Sequence, residues 1–272
     1  MAFFEGILRV MDSKMTTPGL YGWFHLLWLG ITIGTAVALC LWHKKKPADR
    51  EWKITLAVSV AVILLEVYKQ INYSFSYEDG ISFFYQWYAF PFQFCSTPMY
   101  VGLLAGLLKK GKIADALYAY LATFSVFAGV CVMLYPGDVF VGTIGINIQT
   151  MICHGSMIFV GVYLLYTGKV KLEHKTVLKG AAVFSVCVTL AMVMNEVAYY
   201  TGLLEEHTFN MFFISPHCAP SLPVYSLVQG VVPFPWCLLI YIAAFTLASW
   251  IILLIAMGVK KLASTGKVKQ IA

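Results

Sequence analysis

A chain of 272 residues that is 60% hydrophobic and only 12% charged, with a mean hydropathy of +0.78, is not a water-soluble globular domain. Its net charge of +6 is carried by lysines gathered in short polar stretches, so it marks topology across a bilayer and leaves no nucleic-acid footprint.

In chain order, residues 1–19 come first. The stretch "AFFEGILRVMDSK" carries Glu5, Arg9 and Asp12, lacks the apolar core of a secretory signal peptide, and is expected to form an interfacial or re-entrant segment. Runs of the ~20 apolar residues needed to cross a hydrocarbon core of about 30 Å then follow at 20–42, 54–75, 85–108, 114–135, 147–168, 177–200 and 231–257. They predict an all-α polytopic bundle of seven transmembrane helices over 20–257, with a basic tail at 258–272.

The cations orient this bundle, because Lys and Arg of short loops stay cytoplasmic. Lys44, Lys45, Lys46, Arg50 and Lys53, then Lys109, Lys110 and Lys112, then Lys169, Lys171, Lys175 and Lys179, then Lys260, Lys261, Lys267 and Lys269 make 16 of the 19 basic residues. Seven spans put all of them on one side, with the amino terminus outside, the carboxyl terminus inside and the protein in the cell membrane. The longest connection, 201–230, carries Pro216, Pro220 and Pro223; a loop of that length is read as a lid or as a plain surface connection. The seven cysteines show no metal-ligand spacing, so neither zinc nor any other cofactor is expected. Cys153 is read as structural.

Polar residues inside the spans are the functional signal. At a rise of 1.5 Å per residue, His25, Glu66, Lys69, Gln93, Cys95, His154, Asn195 and Glu196 fall roughly 18–27 Å above the inner boundary of their spans. Glu66, Lys69, Gln70 and Tyr73 form one helical stripe, in which Glu66 and Lys69 can pair across a turn. In "FPFQFCSTPMY", Pro91 and Pro98 flank Gln93, Cys95 and Thr97 and predict a kinked third span lining an outward-opening polar pocket, since irregular backbone at this depth is tolerated where it borders a cavity.

"YGWFHLLWL", Glu66, "PFQFCS", His154 and "NEVAYY" before a long loop together resemble the YwaF-like bacterial integral membrane proteins. That family's third-span pattern runs approximately Pro-Leu-His-Leu-Cys, so Pro91, Gln93 and Cys95 occupy its positions, with Gln93 where a histidine is usual. The resemblance implies kinship with the transmembrane acyltransferases of ether phospholipids: acyl transfer or hydrolysis on a membrane lipid, Cys95 as nucleophile and His154 as base, Gln93, Asn195 or His25 steadying the oxyanion, and Thr97 as a fallback nucleophile.

The residues themselves leave other readings open. Buried Glu66, Lys69 and Glu196 suit a small-solute transporter or a ligand-binding receptor, and a polar cluster that only holds helices together is a third possibility. A retinal protein is excluded, because 231–257 contains no lysine.

Overall fold

A computed structural model describes residues 2–77, 80–203, 209–219 and 222–269. The helices are α1 (Ala2–Met11), α2 (Trp23–Lys45), α3 (Glu51–Ser74), α4 (Thr97–Leu108), α5 (Lys112–Leu134), α6 (Ile144–Thr167), α7 (His174–Tyr200), α8 (Pro223–Gln229) and α9 (Trp236–Lys269). The expected all-helical fold is amended by one small hairpin, in which Phe75–Ser76 pairs antiparallel with Ser82–Phe83.

Among the described residues, six helices are long and apolar enough to cross a membrane: α2, α3, α5, α6, α7 and α9. Their faces are inverted relative to a soluble protein: on α3, Leu64 is 66% exposed while Glu66 is 5% exposed. Apolar side chains that would be costly to leave in water belong against lipid, and the polar ones inside.

The third predicted span needs correction. Residues 85–108 are not one kinked helix: a 3₁₀ turn at Trp87–Ala89 leads into irregular backbone, and α4 starts only at Thr97, with Pro98 in its first turn. Proline harms a helix interior but suits a helix start, where its missing N–H had no partner to lose. The 12 residues of α4 rise only ~18 Å, about half a bilayer core. The last span also differs: α9 begins at Trp236 rather than at 231, after Pro233 and Pro235, and stays helical to Lys269, through the segment expected as a separate tail.

The bundle has two distinct ends. At one, the ammonium groups of Lys53 and Lys109 lie 5.4 and 4.3 Å from the ring of Trp52, and Lys169 donates to the Lys109 carbonyl at 2.9 Å, so three lysine-bearing loops meet. At the other, Asp12 accepts from Tyr77 at 2.7 Å and from Thr143 at 3.0 Å, and Tyr68 donates to the Met11 carbonyl at 2.6 Å. These contacts strap the end of α1 over the ends of α3 and α6 remote from the lysine loops. The chain returns from the strapped end to the lysine end through residues 84–96 and α4.

Small residues set the helix spacing, as in membrane bundles generally. A Cβ at Gly106 would lie 2.7 Å from the Leu56 Cβ, and one at Gly161 2.8 Å from the Leu121 carbonyl oxygen, so α4 rests on α3 and α6 on α5 nearly backbone to backbone. The Leu121 contact falls on a π turn, Leu121–Ser125, that widens α5 at its middle. The apolar centre is aromatic: Phe184 lies 5.1 Å from Phe94, 4.9 Å from Phe124 and 5.4 Å from Phe245, ring to ring.

Candidate functional site

The helical stripe on α3 builds a buried ionic network. The Glu66 carboxylate is met by Lys69 at 2.8 Å, by the Gln70 amide at 2.7 Å and by the Gln149 amide of α6 at 3.2 Å. Gln70 also donates to the Ala89 carbonyl at 2.7 Å, tying the network to the 3₁₀ turn before the break. A buried carboxylate requires such donors, since desolvation without them is prohibitive. Gln149 is not among the residues the sequence singles out, although its place five positions before His154 on α6 is a usable signal.

Cys95 sits on the irregular backbone just before α4. It forms part of the wall of a cavity of ≈ 30 Å³, shared with Thr55, Ser59, Ser125, Cys153 and Ser156. The Cys153 thiol points at the Cys95 carbonyl, 3.8 Å away, so Cys153, read from sequence as structural, borders the same space. The cavity follows α3 from Thr55 to Val62, toward the lysine-bearing end; the pocket expected to open outward lies instead on the other side of Cys95. His154 follows Cys153 on α6. Its Nδ1–H donates to the Thr150 carbonyl at 2.7 Å, and its buried Nε2 has no hydrogen-bond partner among the described residues. The Lys69 ammonium acts electrostatically on Cys95, Cys153 and His154 alike.

Gln93 and Asn195 face elsewhere. Residues 209–215 of the long loop turn back into the bundle, with Met211, Phe212 and Ile214 fully buried. The Gln93 amide donates to the Asn210 carbonyl at 2.9 Å and accepts from the Phe212 N–H at 2.8 Å. Asn195 donates to the Met211 carbonyl at 3.0 Å and accepts from its N–H at 2.7 Å, while Tyr241 donates to the Phe212 carbonyl at 3.2 Å. Phe212 and Phe213 hold φ of 58° and 56°, a left-handed conformation costing about 1–2 kcal/mol per non-glycine residue, so these bonds hold a strained plug in place. The backbone break does not turn Gln93 and Cys95 into one cavity: Gln93 serves the plug, Phe94 the aromatic core and Cys95 the cavity. Residues 204–208 and 220–221 of the expected lid lie outside the described residues.

The remaining site residues have local partners. His25 accepts from the Tyr21 N–H at 3.0 Å and donates through Nε2 to the Met133 carbonyl at 2.8 Å, which caps the last turn of α5. Thr97 shares a 2.6 Å hydrogen bond with the Tyr120 hydroxyl and donates to the Phe94 carbonyl at 2.9 Å. Glu196, with its side chain 34% exposed, pairs with His217 at 3.1 Å, and His217 stacks on Tyr199 at 3.6 Å. The polar residues expected in one chamber thus divide among the Glu66–Cys95 centre, the plug latch, the helix cap and the partly exposed Glu196–His217 pair. Among the described residues no cluster of three or more His, Cys, Asp or Glu could hold a metal ion.

Apolar helices with outward-facing hydrophobic side chains around a buried ionic and thiol centre define a polytopic helical integral membrane protein. The TMEM164 family model matches residues 20–254, and the chain belongs to that family. No curated protein and no solved structure matches it.

Proposed function

We propose that this protein crosses the cell membrane seven times, with 84–96 and α4 together making the third passage, the strapped end outside and the lysine end cytoplasmic, and that its Cys95 centre transfers acyl groups between membrane lipids. One observation carries the chemistry: Cys95 lies on non-helical backbone at membrane depth, its carbonyl met by the Cys153 thiol of α6, one position before His154, whose buried Nε2 is unpartnered among the described residues. The Nδ1–H bond to Thr150 leaves Nε2 as the basic nitrogen, the arrangement a thiol nucleophile requires. His154 takes the Cys95 proton, the thiolate adds to a lipid ester carbonyl, and the ester C–O bond breaks as the imidazolium protonates the departing alkoxide. A second lipid hydroxyl then attacks the thioester. Lipid entry requires movement of the plug that packs on residues 92–94.

The test is a covalent one. The protein in lipid nanodiscs, given phospholipid with an alkyne-tagged acyl chain, should acquire a hydroxylamine-sensitive label on the Cys95 peptide, absent in Cys95→Ala and strongly reduced in His154→Ala. A wild-type protein that stays unlabelled overturns the reading. The buried Glu66–Lys69 pair favours a second reading, solute transport by a charge-coupled carrier, which would show as flux surviving Cys95→Ala.

A further inference from the structure

We propose that the cavity beside Cys95 is a water-binding site for two ordered waters, and that these waters let the centre release free fatty acid as well as transfer it. The second half rests on the acyl-thioester reading above; the first does not.

The cavity measures ≈ 30 Å³, and a water needs about 10–15 Å³ measured this way, so two fit. Size alone does not wet a cavity, because apolar ones of larger volume stay dry. This one is polar. Thr55 Oγ1 and Ser125 Oγ, each on a residue 1% exposed, line it without a hydrogen-bond partner among the described residues, although a hydroxyl offers one donor and two acceptor positions. Ser156 spends its hydrogen on the Cys153 carbonyl at 2.7 Å, which leaves its lone pairs available to a water O–H. Buried hydroxyls left without partners are rare in native proteins; here they converge from α3, α5 and α6 on one space.

Local structure places them there. Ser125 closes the π turn of α5, a one-residue bulge of the kind that commonly re-aims side chains at functional positions. The cavity wall also includes Cys95, so a water held by Thr55 and Ser125 stands beside the reacting sulfur. Once an acyl group is on Cys95, water oxygen adds to the thioester carbonyl and the C–S bond breaks. The fatty acid leaves, and the proton given up by water returns the thiolate to thiol. No further reactant is needed.

Hydroxyl-radical labelling by X-ray radiolysis reports buried water directly, and Met157 in the wall is an oxidisable reporter. In the full-length wild type, Met157 is expected to be labelled despite its burial. The variants Thr55→Val and Ser125→Ala should each lower that labelling at least threefold, with exposed Tyr200 unchanged as a control. Ser125→Thr, which keeps the hydroxyl but fills volume, should lower it too. Absence of Met157 labelling in wild type, or equal labelling in all variants, overturns the water site. In ¹⁸O water without acceptor lipid, wild type should release ¹⁸O-bearing fatty acid and Thr55→Val several-fold less at equal Cys95 acylation; equal release overturns the hydrolytic role. If Met157 labelling behaves as expected while Cys95 never acylates, the water site stands and the acyl-transfer reading falls.

Discussion

One amide, that of Gln93, bridges two residues of a loop more than a hundred positions away, donating to the carbonyl of Asn210 and accepting from the N–H of Phe212. The contact joins the plug to the stretch that carries Cys95, two positions before the thiol. Release of the loop therefore loosens the backbone that holds Cys95.

Gln93→Ala leaves two buried backbone groups unpaired, at about 1–3 kcal/mol each. Faster amide hydrogen exchange at Met211–Phe213 and at least tenfold faster alkylation of Cys95 by a membrane-permeant maleimide are expected. Asn195→Ala should act the same way, and the double variant should be non-additive, since both side chains hold one segment. Unchanged exchange in both single variants would show that the plug stays put without its latch.

The Glu66–Lys69 pair makes a different prediction, read by thermal unfolding in detergent. Glu66→Gln strands a buried ammonium and should destabilise the protein by about 3–5 kcal/mol. Adding Lys69→Met removes the stranded charge, so most of that loss should be regained. A double variant no more stable than Glu66→Gln would mean that the carboxylate matters for Gln70 and Gln149 rather than for Lys69.

The two buried histidines should separate cleanly. His25 has both ring nitrogens satisfied, so His25→Ala is expected to lower stability by about 1–3 kcal/mol through the buried Met133 carbonyl left unpaired and to leave acyl labelling of Cys95 per folded molecule intact. His154→Ala should remove the labelling. Mass spectrometry of the Cys95 peptide in both variants decides between them.

Asp12 gives a pH dependence. Burial pushes its carboxyl up, but hydrogen bonds from Lys14, Tyr77 and Thr143 and the Lys14 charge outweigh that and hold it below the usual carboxylate range. A lowered folded-state value means that the unfolded segment takes up its proton first as pH falls. The strap is then fully stabilised above the ordinary carboxylate range and loosens as pH drops through the lowered value. Hydrogen exchange across Met11–Met15 should rise with acidification, and Asp12→Asn should be loose and insensitive to pH.

Five of the helices were legible to within a few residues, because hydropathy over ~20 positions is a local property. The Glu66–Lys69 pairing was legible for the same reason, being one turn of one helix. Pro98 was not, since a proline between apolar residues marks a kink or a first turn depending on whether helix precedes it. Shared depth also misled: Gln93 and Asn195 stand at the height of Cys95, yet their partners come from a loop whose path no periodicity encodes. Cys153 and His154 differ by one position and about 100° on α6, and which of them meets Cys95 depends on how α6 is rotated in the bundle.

The strap at Asp12 also bears on how the molecule is made. Chains emerge amino end first, so the Asp12 carboxylate exists before Tyr77 is synthesised and well before Thr143, its partner at the start of α6. The half of the clasp that holds α3, Tyr68 to Met11 and Tyr77 to Asp12, can therefore form first, and the half that holds α6 closes only once Thr143 has been made. A protease presented to the strapped face during biogenesis should cut near Ser13 more readily in chains arrested before Thr143, which makes the completed clasp a marker of insertion through the start of α6.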